Sequence, residues 1–202
     1  MTLSNRLNKH IAVAAAAAAS VGAANAAVVY SGVVNITVPF NIDGVYMNVE
    51  TGAMGSAGAG VAGWDVNPYG SSTTAVSLYA ATGTGYMRTP GATTTGKTNL
   101  AAGTEIGASA FFYGSSSATI GTLAGQWSAN STGIFGFKFV GADALTHYGW
   151  MRLAIGANAG TRSVVDYGYE SVGGVAIAAG APAPGAVALL GLAGLISRRR
   201  RA

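Results

Sequence analysis

The chain has 202 residues, of which half are hydrophobic and only 9% are charged, so it is long enough for one domain with its own core. It contains no cysteine, which excludes disulfides, thiolate zinc sites and a cysteine nucleophile. The net charge of +4 comes from the two ends, because residues 27–180 carry five cationic and seven anionic side chains. These scattered charges form no phosphate-binding stripe, so we expect no nucleic-acid partner.

The N-terminal segment is typical of a secretory signal peptide. A weakly basic start precedes an alanine-rich apolar run over residues 11–19, and small residues follow at Ala24-Asn25-Ala26. We predict a signal peptide over residues 1–26 that engages the export machinery and is cut by signal peptidase at the site formed by Ala24 and Ala26. An alanine-rich helix of the folded domain is the alternative, which the order of these three features disfavours.

Residues 27–180 are predicted to form a single β-rich domain. Short runs of β-branched and aromatic residues alternate with clusters of Gly, Ser, Thr and Asn, and no sustained helical period with caps is present. This pattern predicts an all-β fold, an antiparallel sandwich of the jelly-roll or lectin-like kind. The predicted strand regions are 27–38, 42–49, 75–80, 108–114, 134–140, 146–155 and 161–170.

The last three regions predict an antiparallel meander, because short turn-forming segments separate them at 141–145 and 156–160. In the first of the three, "IFGFKFV", apolar rings alternate with other residues. Phe135, Phe137 and Phe139 should therefore point to one face of the sheet and the intervening residues to the other.

The stretch "GWDVNPYG", residues 63–70, holds the candidate ligand contacts of the domain. Asp65 and Asn67 carry oxygen atoms two residues apart, and Trp64 and Tyr69 flank them. Such a set suits a calcium or sugar site, since calcium prefers oxygen ligands and aromatic faces stack on sugar rings. It equally suits a turn stabilised by Asx side chains whose aromatic rings cap the core, which is the interpretation we favour.

Three further patterns carry little functional weight. "GATTTGKT" at 91–98 matches the P-loop spacing, but no buried strand precedes it and no helix follows, so we expect a surface loop. "GAGVAG" at 58–63 lacks the strand and helix of a dinucleotide site. His147 has Asp143 and Asp166 as possible triad partners, but no nucleophile elbow is present, so we expect a core or strand-edge histidine. We assign no catalytic residue, no cofactor and no metal.

The C-terminus combines a proline triplet, a short apolar run and a basic end. Residues 186–196 would form a hydrophobic helix of about 16 Å, shorter than the roughly 20 residues that span a bilayer. Clustered arginines hold such a segment with its end on the cytoplasmic side. We predict a transient membrane hook, with its hinge at Pro182-Ala183-Pro184 and its basic end at Arg198, Arg199, Arg200 and Arg201.

This C-terminus resembles the PEP-CTERM sorting signal, although Ala183 stands where that family has glutamate. Residues 134–180 also resemble a segment of many PEP-CTERM proteins, through "FGFKF", "THYGW", "DYGYE" and "IAAG". The resemblance implies removal of residues 181–202 by an exosortase, an integral-membrane cysteine transpeptidase. It also implies export to the cell surface or medium through a transient inner-membrane intermediate, often alongside exopolysaccharide. A plain tail anchor is the alternative.

These features together predict an exported, exosortase-processed surface or extracellular-matrix protein with a structural or adhesive role and no catalysis. The first alternative is a lectin-like carbohydrate-binding module that uses Trp64, Tyr69 and Asp65. The second is a polysaccharide hydrolase, which would need two of the scattered carboxylates to meet across a cleft.

Overall fold

The computed structural model describes residues 27–88 and 98–181. The predicted signal peptide, the sorting signal from residue 182 onwards and residues 91–97 of the P-loop-like stretch lie outside these ranges. Within them, no helix combines the length and the apolar character needed to cross a bilayer.

The described residues form β-strands connected by turns, with one 3-10 turn at Gly58–Gly60. The strands are β1 (Val28–Tyr30), β2 (Ile36–Thr37), β3 (Tyr46–Met47), β4 (Met54–Gly55), β5 (Val66–Tyr69), β6 (Ala75–Ala80), β7 (Gly85–Met87), β8 (Glu105–Ile106), β9 (Phe112–Tyr113), β10 (Ser115–Thr119), β11 (Ser131–Val140), β12 (Thr146–Ile155), β13 (Arg162–Glu170) and β14 (Ile177–Ala178).

Two antiparallel sheets pack face to face, which confirms the predicted all-β sandwich. The larger sheet has the strand order β1-β13-β12-β11-β7-β9, with β2 also paired to β13. The second sheet has the order β10-β6-β5-β3-β4, and β8 and β14 form a small separate pair. All of the named pairs are antiparallel, as expected for strands joined by short turns.

The meander predicted at the C-terminal side is confirmed by β11, β12 and β13. Its register places Ser131 opposite Ile155 and Val140 opposite Thr146. Phe135, Phe137 and Phe139 are all fully buried on one face, as their alternation predicted.

The core lies on both faces of the larger sheet. Between the two sheets, the phenylalanines of β11 pack in one cluster with Met47, Val66 and Leu78 of the second sheet. On the opposite face, Trp150 packs with Ile106 and Ile177, which the small β8–β14 pair supplies. The central strands are therefore shielded from water on both sides, which explains why they carry so many large apolar residues.

The ends of β11 and β12 define two ends of the sandwich, which we call the Val140 end and the Ile155 end. Each strand has ten residues, so the two ends are about 30 Å apart at roughly 3.3 Å per residue. The first strand is tied to the Val140 end, since the backbone N–H of Ala27 donates to Glu170 Oε1 at 2.7 Å.

Candidate functional site

A cleft of about 740 Å³ opens at the Val140 end of the sandwich. It forms where the segment before β5, the turn between β6 and β7, the start of β10 and the end of β11 meet. Its side walls include Trp64, Asp65, Tyr79, Thr84, Ser115 and Val140.

Two aromatic rings form one wall of the cleft. Tyr79 lies on the outward-facing side of β6, where inward neighbours such as Leu78 are buried and Tyr79 is 48% exposed. The Trp64 ring lies beside it, with centroids 5.7 Å apart and an interplanar angle of 31°. Trp64 also makes an edge-to-face contact with Tyr46, with centroids 4.8 Å apart and an interplanar angle of 87°. The half-buried Trp64 is thus held in one orientation.

The glycine-rich stretch 58–63 supports this wall and contains the 3-10 turn at Gly58–Gly60. A Cβ atom at Gly58 would lie 2.8 Å from Trp64 Nε1 and 3.0 Å from Tyr46 Cε1. Only glycine lets the backbone pass this close to the indole without moving a ring, so the 3-10 turn at Gly58–Gly60 serves as the support on which Trp64 rests.

Asp65 is the acidic group of the cleft and is 5% exposed. Its Oδ2 accepts a hydrogen bond from the Val49 N–H at 2.9 Å, and its own N–H donates to the Met47 carbonyl at 2.8 Å. Burial raises the pKa of Asp65 to about 7, the Val49 N–H opposes this rise, and the charge of Glu50 adds to it. Near neutral pH the carboxyl is therefore partly protonated and can act both as a hydrogen-bond donor and as an acceptor. Carboxyl groups with such a raised pKa are concentrated in functional sites.

More titratable groups lie at the Val140 end. The Glu50 carboxylate accepts from the Ala142 N–H at 2.9 Å. The ring of His147 is buried, with Nε2 3.1 Å from Asp143 Oδ1 and Nδ1 2.9 Å from the Glu170 carbonyl. Burial opposes the charge on this ring, but the two oxygen acceptors outweigh it and raise the pKa of His147. His147 stacks on Phe139 at 5.4 Å, which agrees with the predicted core position.

The four candidate ligand contacts have different surroundings. Trp64 and Asp65 line the cleft, whereas Asn67 and Tyr69 do not. Asn67 is 2% exposed, and its side-chain amide donates to the Asp43 carbonyl at 3.1 Å, so it holds the preceding turn against β5. Tyr69 lies farther along β5, away from the cleft.

Tyr79, Thr84 and Ser115 line the cleft but are absent from the sequence-based candidates. For Tyr79, the alternation within "AVSLYA" marks an outward aromatic residue. Its proximity to Trp64 depends on the pairing of β5 with β6, in which Val66 lies opposite Ala80. That pairing is not visible as a local pattern.

Among the described residues, no group of three or more acidic or histidine side chains is arranged to hold a metal ion. No protein-family model matches this chain, and no curated protein and no solved structure is significantly similar to it. The side chains of the cleft are therefore the main guide to function.

Proposed function

We propose that the domain is a non-catalytic carbohydrate-binding module of an exported surface or matrix protein, and that it binds saccharide in the cleft at the Val140 end. The observation that carries this proposal is the pair of rings, Trp64 and Tyr79, beside the carboxyl of Asp65. Small-molecule sites commonly combine aromatic walls with a few fixed polar groups, and a sugar ring offers both an apolar face and hydroxyls.

The charges of the cleft favour a neutral saccharide. None of the described residues that line it is cationic, and Glu50 lies close enough to Asp65 to influence its ionisation. A uronate or sulfated sugar would bring another negative charge to this site, where like charges repel. Neutral sugars avoid that cost and can use Asp65 together with the hydroxyls of Thr84 and Ser115.

The terminal patterns support an extracellular role for this module. The predicted signal peptide at 1–26 and the PEP-CTERM-like signal at 181–202 would take the domain through an inner-membrane intermediate. An exosortase in that membrane would release it to the cell surface or matrix, a setting that the resemblance links to exopolysaccharide. Binding a neutral exopolysaccharide there would provide the structural or adhesive role.

Binding to immobilised neutral and acidic polysaccharides tests the proposal, followed by calorimetric titration of the best ligand. Trp64→Ala should weaken binding at least about tenfold, the equivalent of about 1.4 kcal/mol. Phe111→Ala is the matched control, since Phe111 is an exposed aromatic residue that does not line the cleft. Absence of binding to any neutral polysaccharide, or equal affinity of Trp64→Ala and wild type, would refute the proposal.

A polysaccharide hydrolase is the second candidate, and the raised pKa of Asp65 favours it. A carboxyl with a pKa of about 7 suits a general acid, and Glu50 is a nearby second carboxylate. Release of reducing ends from a bound polysaccharide, abolished by Asp65→Asn, would identify an enzyme. Binding without release of reducing ends would identify the non-catalytic module.

A further inference from the structure

A second cleft, of about 470 Å³, lies at the Ile155 end, where β2, β12 and β13 meet. Its lining includes the buried Arg162, the exposed ring of Phe40 and the hydroxyl-bearing residues Thr37, Thr161 and Ser163.

The side chain of Arg162 is 3% exposed and holds three chain segments together. Nη1 donates to the Ala159 carbonyl at 2.9 Å, and Nη2 donates to the carbonyls of Pro39, at 2.5 Å, and of Gly70. Nε is buried and has no hydrogen-bond partner. The Nε–H donor of the guanidinium is therefore unused by the protein.

Arg162 also lacks a carboxylate partner among the residues that the structure describes. All seven Asp and Glu residues of the chain lie in the described ranges, and the ion pairs found there are His147–Asp143 and Arg152–Asp166. Buried cations in proteins are normally paired, because removing a charge from water is costly. Burial accordingly lowers the pKa of Arg162.

The two other arginines in the described ranges differ from Arg162. Arg152 pairs through two nitrogens with Asp166. Arg88 has its guanidinium 3.7 Å from the centre of the Tyr113 ring, and its Nε donates to Ser116 Oγ at 3.3 Å. Arg162 alone among these three combines deep burial, a free Nε–H and a position in the wall of a cleft.

We propose that the cleft at the Ile155 end binds the anionic group of an acidic saccharide, with Arg162 as its counter-ion. The buried guanidinium attracts the carboxylate or sulfate through its charge, which no carboxylate in the described ranges neutralises, and not by direct contact, because its Nε is buried. The ring of Phe40 is 49% exposed and lies 5.5 Å from the guanidinium carbon, so it offers a stacking face to the sugar beside its charge. Hydroxyls of Thr37, Thr161 and Ser163 supply further polar contacts.

This site is independent of the neutral-sugar cleft. The two clefts lie at opposite ends of β11, β12 and β13, about 30 Å apart. They also differ in charge, since the Val140 end is acidic and the Ile155 end offers a buried cation. One molecule could then connect a neutral polysaccharide to an acidic one, a useful property for a matrix protein.

Nitrogen-15 NMR of the labelled full chain tests the proposal, because the Nε–H of Arg162 gives its own signal. The probes are trigalacturonate, a sulfated galactose trisaccharide and the neutral galactose trisaccharide. We expect the Arg162 Nε–H signal to shift with one or both acidic probes and not with the neutral one. A response to the carboxylate alone or to the sulfate alone supports the site and identifies the group. A response to neither acidic probe would overturn the proposal.

Phe40→Ala tests the site without removing the buried charge. Losing this ring should weaken binding of the acidic probe roughly fivefold, while Phe111→Ala and Trp64→Ala leave it unchanged. Arg162→Gln should abolish binding, and its urea midpoint shows whether the fold survives. Equal affinity of Phe40→Ala and wild type would contradict the assignment even if Arg162→Gln fails to fold.

Discussion

Replacing Asp65 with Asn should stabilise the protein at alkaline pH and change little at acid pH. Burial raises the pKa of Asp65 from 3.8 to about 7, so the folded state retains a proton that the unfolded state has released. The stabilising contribution of such a group is fully present below 3.8, the pKa of the group in the unfolded chain, and is lost as the pH rises through 7, its pKa in the folded state. The full shift corresponds to about 4 kcal/mol. Because the carboxyl borders an open cleft, we expect about half of that, ~2 kcal/mol.

The Asn side chain isolates this effect, since its oxygen can still accept the hydrogen bond from the Val49 N–H. The raised pKa of His147 also makes the protein less stable as the pH rises, but it affects both variants alike and cancels in their difference.

Urea unfolding followed by tryptophan fluorescence at pH 4, 6 and 8 measures the difference in unfolding free energy between Asp65→Asn and wild type. The difference should be near zero at pH 4 and favour Asn by about 2 kcal/mol at pH 8. Asp43→Asn controls for removing one carboxyl charge from the exposed surface. A pH-independent difference, or a less stable Asn variant at pH 8, would refute the reasoning.

Two further predictions concern the wall of the first cleft and the two termini. Gly58→Ala should displace the indole of Trp64, shift the tryptophan fluorescence and weaken binding of the neutral saccharide severalfold. Gly60→Ala is the control and should have none of these effects, because its added Cβ would meet no atom within 4 Å. Equal affinity of these two variants for the neutral saccharide would show that the position of Trp64 does not depend on the 3-10 turn at Gly58–Gly60. The intact mass of the protein from its native host should correspond to a chain that starts near Ala27 and ends near Pro182. A membrane-bound species that still carries Arg198 to Arg201 would instead indicate a plain tail anchor.

The part of the fold that could be predicted from sequence is the part with long local patterns. β12 spans the predicted residues 146–155, and β6 spans the predicted 75–80, because flanking turn-forming segments mark both. Strands of two residues, such as β8 and β14, carry no such pattern. They exist because the opposite face of the larger sheet offers Trp150 and its neighbours for them to cover.

The same distinction applies to the two clefts. Trp64 and Asp65 were candidates because they adjoin each other in a polar and aromatic stretch. Tyr79 joins them through strand pairing, and Arg162 is buried by carbonyls from three separate segments. A lone arginine at the start of a strand resembles any surface arginine in sequence, since its burial depends on contacts between distant residues.

The contact between Ala27 and Glu170 changes character if the chain is cut after Ala26. The amide N–H that now lies 2.7 Å from Glu170 Oε1 would become a positively charged α-amino group. A hydrogen bond from an uncharged amide would then become an ion pair between the α-amino group and the buried carboxylate of Glu170. Maturation would thus fasten β1 to β13, and a cut one residue earlier or later would place the new charge away from its partner.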